Sequence, residues 1–354
     1  MSRFFSSRFS SLVPYTPGEQ PKKQKFIKLN TNESPFAPCE SAVKAAEKAA
    51  ESLQLYSDPE CAALTEAVAQ YYGLEKDEVL LTNGSDEILN FAFMAFCDKE
   101  HPAVFPDITY GFYKVFALLH GVPYEEIPLH EDMSVCVEDY IGVNKTVFIA
   151  NPNAPTGILL SIDQIEQIVS SNRNSIVVID EAYVEFGGES CIPLIHKYDN
   201  LLVTRTFSKS CSMAGARLGF GVGNRELIRD LNTIKYSTNP YNINSMTMAA
   251  GLAVMQNYEY TAKNCAEIVR IREYTASALE KLGFSMPVSS ANFLFVKSDR
   301  ISGAELYSAL REKGVLVRHF ETPRLKEYNR VTIGSMEQME TFIEKVKEIL
   351  EERQ

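Results

Sequence analysis

Two stretches of this sequence, TVFIA (146–150) and SIVVID (175–180), are apolar throughout their interiors. A strand points successive side chains to opposite faces, so a run with no polar alternation must be covered on both sides. That condition is met inside a parallel sheet sandwiched between helix layers. Around these runs the text alternates between strand-like and helical patterns. EVLLT (78–82), PAVF (102–105), LLVTRTF (201–207) and LGFGVG (218–223) read as further strands. Leu64 to Tyr72, DEILNFAFMAF (86–96), YGFYKVFALLHG (110–121) and SIDQIEQIVSSN (161–172) carry helical spacing. The alternation predicts an α/β open sheet, mostly parallel, with helices on both faces. Beyond Tyr258 the pattern changes. A long charged helix over roughly 258–282 precedes FLFVK, a helix, VLVRHF, NRVTIGS and a closing helix, which read as a smaller α+β unit. The expected division is an N-terminal arm over 1–35, a large domain over 36–255 and a small domain over 256–354. The N-terminal segment is free to pack with the small domain. Turn signals at Pro14, Pro17–Gly18 and Pro21 mark the arm.

Composition narrows the partners. The formal net charge of −11 over 354 residues opposes a nucleic-acid or anionic-membrane role, which needs a basic face. It leaves room for a small anion held by local arginines. The seven cysteines (Cys39, Cys61, Cys97, Cys136, Cys191, Cys211 and Cys265) form no C-x-x-C pair. That scatter fits free thiols in a reducing compartment and no metal site, so a cytoplasmic protein is expected. No apolar run reaches the roughly 18 residues that span a bilayer. MSRFFSSRFSSLVPY, although basic and serine-rich, reads as a plain arm rather than a secretory or transit signal.

Ligands of open parallel sheets bind beyond the carboxyl ends of the strands. Gly84-Ser85-Asp86, Asn151 to Gly157, Asp180 to Tyr183 and Ser208-Lys209 occupy those positions. Asp180 closes an apolar run, where an unpartnered carboxylate is expensive to bury. VVIDEA could be the acidic motif of a nucleotide-binding ATPase, but no G-x-x-x-x-G-K-[ST] loop accompanies it. GFGVGN lacks the dinucleotide glycine spacing. A carboxylate paired with a protonated heterocyclic nitrogen, plus a lysine further on, is what pyridoxal 5′-phosphate (PLP) requires. Lys209 alone would read as a surface lysine. Its neighbours Ser208, Ser210 and Arg217 are the residue types that hold a phosphate dianion. In TNGSDE (82–87), Ser85 and Asp86 read as helix caps, with a phosphate on the same amides a compatible second role.

These blocks resemble the fold-type-I, class I/II PLP-dependent aminotransferases, most closely the branch acting on histidinol phosphate. LVPYTPGEQP, KLNTNESPFAP, YSDPE, NGSDE, ITYGFY, NPNAPTG, IDEAY, TFSKSCSMAGARLG and NRVTIGS carry the likeness in order and spacing. The resemblance implies a homodimeric enzyme exchanging an amino group between glutamate and a phosphorylated keto compound, with ping-pong kinetics. A threonine-phosphate decarboxylase or an aromatic amino acid aminotransferase of the same fold is the neighbouring alternative. It further implies that Lys209 forms the Schiff base and then moves the proton, Asp180 pairs with the pyridine nitrogen, and Tyr183 donates to the ring oxygen. Tyr110 would stack on the ring. Ser85, the Asp86 amide, Ser208 and Arg217 would hold the cofactor phosphate, joined by Tyr56 of a neighbouring subunit. Arg330 would clamp the substrate α-carboxylate, with Arg318 and Tyr15 from the partner's arm at the substrate phosphate. One departure stands out: where the family has asparagine before P-T-G, this chain has Ala154. Either Asn153 turns in to replace it, or Tyr183 holds the ring oxygen alone.

Overall fold

The computed structural model describes residues 2–9, 12–16, 18–20 and 26–353. The turn signals Pro17 and Pro21 lie outside the described residues. A short strand β1 (Ile27–Lys28) opens the order, followed by β2 (Val79–Thr82), β3 (Ala103–Pro106), β4 (Tyr124–Ile127), β5 (Thr146–Ala150), β6 (Val177–Asp180), β7 (Leu201–Thr206) and β8 (Gly219–Gly223). Strands β2 to β8 form one seven-stranded sheet in the order β2-β8-β7-β6-β5-β3-β4. The two faces of its central strands bury different side chains. Val147, Ile149, Val177, Ile179, Leu201 and Val203 belong to one core cluster. Phe148, Ala150, Val178 and Leu202 belong to another on the opposite face. Each such aliphatic or aromatic side chain contributes roughly 1.5–3 kcal/mol on burial, so both faces need a helix layer.

The helices supply it: α1 (Glu40–Ala50), α2 (Ala62–Tyr72), α3 (Ser85–Phe96), α4 (Phe112–His120), α5 (Ile162–Ser171), α6 (Arg225–Thr238) and α7 (Ser245–Gln256). Helix α5 begins where the sequence says it should. The Ser161 hydroxyl accepts from the Gln164 amide at 3.3 Å, and the Gln164 side chain accepts from the Ser161 amide at 2.9 Å, a reciprocal cap. Helices α1, α6 and α7 were not anticipated; α7, SMTMAAGLAVMQ, lacks a polar face and packs against α1 and α2.

The strand β8 departs from expectation. It runs antiparallel to both β7 and β2, while the other six strands share one direction. A parallel return needs a crossover of a dozen or more residues, usually a helix. The link from β7 to β8, bearing Ser208 to Arg217, holds no α-helix to carry the chain back across a face of the sheet, and β8 pairs beside β7 in reverse.

The C-terminal part holds α8 (Tyr258–Lys281), β9 (Phe284–Ser285), β10 (Phe293–Ser298), α9 (Gly303–Glu312), β11 (Val315–Leu316), β12 (Arg318–His319), β13 (Asn329–Thr332) and α10 (Met336–Glu351). An antiparallel sheet runs β12-β13-β10-β9, and β1 pairs in parallel with β11. Leu29, just past β1, is 1% exposed and packs into the core of this unit. Among the described residues no helix is long and apolar enough to cross a membrane.

Candidate active site

The carboxyl ends of β6 and β7 and the start of α3 converge on a small recess. Ser85, Asp86, Tyr110, Ala154, Asp180, Tyr183, Ser208, Lys209 and Arg217 are all among its lining. It opens onto a wider cleft between the two sheets, lined by Tyr15, Asn32, Arg318 and Arg330 among others.

Asp180 is 4% exposed at the end of β6. Its carboxylate accepts from the Thr204 hydroxyl at 3.0 Å and from the Tyr113 hydroxyl at 3.1 Å. Among the described residues it forms no salt bridge, and burial pushes its carboxyl up to about 6. The Lys209 ammonium donates to the Thr31 carbonyl at 3.2 Å and lies 5.8 Å from the centre of the Tyr183 ring.

At the other end of the recess Arg217, at a φ of +56°, turns its guanidinium toward α3. It donates to Ser208 Oγ at 3.2 Å and to Asp86 Oδ2 at 3.2 Å, while the Tyr110 hydroxyl donates to Asp86 Oδ1 at 2.6 Å. The helix cap differs from the sequence expectation: Gly84, not Ser85 or Asp86, occupies the N-cap, and Asn83 N–H is met by the Glu87 carboxylate at 2.7 Å. Ser85 and Asp86 therefore sit in the first turn itself, where backbone N–H groups favour an anion. A Cβ on Gly84 would lie 2.5 Å from Arg217 Nη2.

Arg330, on β13, is register partner of Arg318 on β12. Its Nη2 donates to the Asn30 carbonyl at 3.1 Å, and its Nε is buried without a partner among the described residues. The guanidinium lies 5.3 Å from the centre of the Phe293 ring, and burial pulls its pKa below the usual arginine range. Neither Arg318 nor Arg330 forms a salt bridge among the described residues.

Two placements correct the sequence reading. The Asn153 side chain does not turn into the recess: it donates to the Ile108 carbonyl at 3.0 Å and to Thr156 Oγ1 at 3.2 Å, and accepts from Thr109 at 2.8 Å. These bonds use the amide to hold the loop that bears Ala154. Tyr15, expected from a partner, lies in the cleft of its own chain, its ring 4.4 Å from that of Phe112. Tyr56, expected to serve a neighbouring subunit, is 84% exposed and stacked on Tyr241 at 4.7 Å. Thr204, Tyr113 and Asn32 were missed. Thr204 had a signal, since it faces Asp180 in the β6–β7 register.

The family model for aminotransferase class I and II matches residues 24–346. The chain belongs to that family. Class I/II aminotransferases depend on PLP, and the recess fits that cofactor on its own terms. A buried acid without a cation, phosphate-type donors and a lysine line it together. Histidinol-phosphate aminotransferase of Brachyspira hyodysenteriae is 45% identical over 352 residues, covering 99% of each chain. The enzyme of the same name from Clostridium botulinum strain Hall is 44% identical over 351 residues, again covering 99% of both. The fold is also that of Sinorhizobium meliloti histidinol-phosphate aminotransferase in complex with PLP, with a TM-score of 0.89, 21% identity and 99% of each chain covered.

Proposed function

We propose that this aminotransferase moves the amino group of histidinol phosphate to 2-oxoglutarate, yielding imidazole-acetol phosphate and glutamate in a step of histidine biosynthesis. The observation that carries the reading is the meeting of Lys209, the cation-less acid Asp180 and the donors Ser208 and Arg217 around one recess. The substrate follows from the full-length relatives of that name and from two arginines without acid partners in the adjoining cleft.

When bound, PLP supplies an electron-withdrawing ring that stabilises negative charge at the substrate carbon. The rest falls to the protein. Ser208, Arg217, Ser85 and the amides opening α3 hold the phosphate. The Asp180 carboxylate, oriented by Thr204 and Tyr113, favours a proton on the ring nitrogen. With PLP bound, Tyr183 would donate to the ring oxygen, Tyr110 would cover the ring, and the Lys209 amine would carry the proton between substrate positions. Arg330 takes the α-carboxylate of glutamate through a planar fork that lysine cannot reproduce. Arg318 and Tyr15 take the phosphate of the other substrate.

The same reading makes the enzyme a cytoplasmic homodimer, with Tyr56 reaching a neighbouring subunit's phosphate site. The strong exposure of Tyr56 and the unpaired state of all seven cysteines support it. It also divides the chain into an arm over 1–35, a large PLP-binding domain over 36–255 and a small domain over 256–354.

Incubation of PLP-loaded protein with histidinol phosphate and 2-oxoglutarate should release glutamate. Initial rates at several fixed concentrations of one substrate should give parallel double-reciprocal lines. No glutamate from this pair, with turnover of another amino acid, would overturn the substrate assignment.

A further inference from the structure

The Tyr183 hydroxyl accepts a hydrogen bond from the Asn32 side chain at 3.0 Å. Asn32 is 1% exposed and Tyr183 9%. Which end of the Asn32 amide faces Tyr183 follows from the bonds around it. The Asn32 backbone N–H donates to Thr332 Oγ1 at 2.9 Å, and the Thr332 hydroxyl donates to Asn32 Oδ1 at 3.0 Å. A threonine hydroxyl has one proton, and the oxygen already serves as acceptor for the backbone N–H. Among the described residues that proton meets no acceptor besides Oδ1, which leaves Nδ2, a donor only, toward Tyr183. Asn292 Nδ2 anchors the Asn32 carbonyl at 3.0 Å. Asn32 itself sits at a φ of +56°, a conformation asparagine tolerates better than most residues.

The consequence falls on Tyr183. Its oxygen receives the Asn32 N–H, so its own proton must be given elsewhere, and among the described residues no acceptor takes it. Tyr183 lines the recess beside Ala154 and Lys209.

We propose that Asn32 is a positioning residue: by donating into the Tyr183 oxygen it directs the single tyrosine proton toward the ring oxygen of PLP. In this way it makes up indirectly for the amide missing at Ala154. The inference rests on the PLP reading above. Chained hydrogen bonds polarise one another, so the Asn32 bond strengthens the donor it orients.

The test is a pH titration of the visible absorbance of the lysine-linked cofactor, which reads protonation without turnover. A donor at the ring oxygen withdraws negative charge from the ring and disfavours protonation of the linked nitrogen. Losing it raises the midpoint. Asn32→Gly removes the side chain and suits the positive φ, so the fold should survive; thermal unfolding checks that it does. Asn32→Gly should raise the midpoint by about 0.3–1 pH unit, the size of one hydrogen bond. Thr332→Val, which frees the Asn32 amide to turn over, should shift it the same way by less. Combined with Tyr183→Phe, Asn32→Gly should add nothing to the shift of Tyr183→Phe alone. A midpoint unmoved in Asn32→Gly, or shifts that add in the double variant, overturns the role of Asn32 while leaving the PLP reading intact. A wild-type protein with no such absorbance sinks the PLP reading, and this inference with it.

Discussion

Thr204 holds Asp180 from the strand position directly across the sheet, its hydroxyl 3.0 Å from Oδ1. The next residue, Arg205, points to the other face and pairs there with Glu181, the neighbour of Asp180, at 2.9 Å. One register of β7 on β6 thus fixes the acid toward the recess and ties the backbone that carries it from behind.

The uncompensated burial of Asp180 should be visible in the pH dependence of the PLP-free protein. A carboxyl raised from 3.8 to about 6 binds more protons folded than unfolded between those values. Its contribution is therefore fully favourable below about pH 4 and lost as pH rises through 6. Relative to Asp180→Asn, wild type should lose about 2 kcal/mol between pH 4.5 and pH 7. Urea unfolding of both proteins at the two pH values measures it. Parallel stability of the two across this range would contradict the prediction.

Arg205 is expected to matter for folding. Its side chain is 4% exposed, with Glu181 at 0% and Glu185, the second partner, at 15%. Arg205→Met leaves two acids buried without their cation and should cost about 3–5 kcal/mol in chemical denaturation. Replacing Glu181 and Glu185 by leucine in that background should recover part of the loss. If Arg205→Met alone unfolds at the wild-type denaturant midpoint, the pairing contributes little.

Gly84→Ala should weaken the phosphate site. The position has a φ of +78°, and the added methyl would meet Arg217 Nη2 at 2.5 Å, displacing the guanidinium from Ser208. Losing a charged hydrogen bond corresponds to roughly a tenfold or greater drop in PLP affinity. Reconstitution of PLP-free protein, followed by fluorescence quenching, would show it.

Arg330→Lys should separate substrate binding from cofactor binding. The lysine keeps the charge but loses the fork, so KM for glutamate should rise about 10–100-fold. PLP affinity should stay within error, since Arg330 stands in the outer cleft rather than in the recess. Equal loss of both would place Arg330 in the cofactor's support instead.

The runs VFIA and IVVID give away a doubly covered parallel sheet because burial on both faces leaves no room for polar alternation. Asp180, Ser208 and Lys209 stand out by lying just past such runs, where the sheet opens. What local pattern cannot convey is which distant side chain arrives beside them. Tyr113 looks like one more aromatic of a helix, and only the packing of α4 brings its hydroxyl to Asp180. Asn32 meets Tyr183 across 151 positions of chain. The family likeness leaves Asn153 or Tyr183 to meet the ring oxygen in place of the asparagine absent at Ala154, and loop closure claims the Asn153 amide. The reversal of β8 hides for a related reason: direction is set by how the connection is used, and strand composition is the same either way.

The parallel pair of β1 with β11 has a bearing on biosynthesis. Ile27 leaves the ribosome long before its partner Val315 is made. Until then Leu29 has no core to enter, so the opening segment must wait unpaired while the central sheet assembles. A fragment cut at residue 256 would fold its closing helices around an edge that the missing amino terminus was meant to complete.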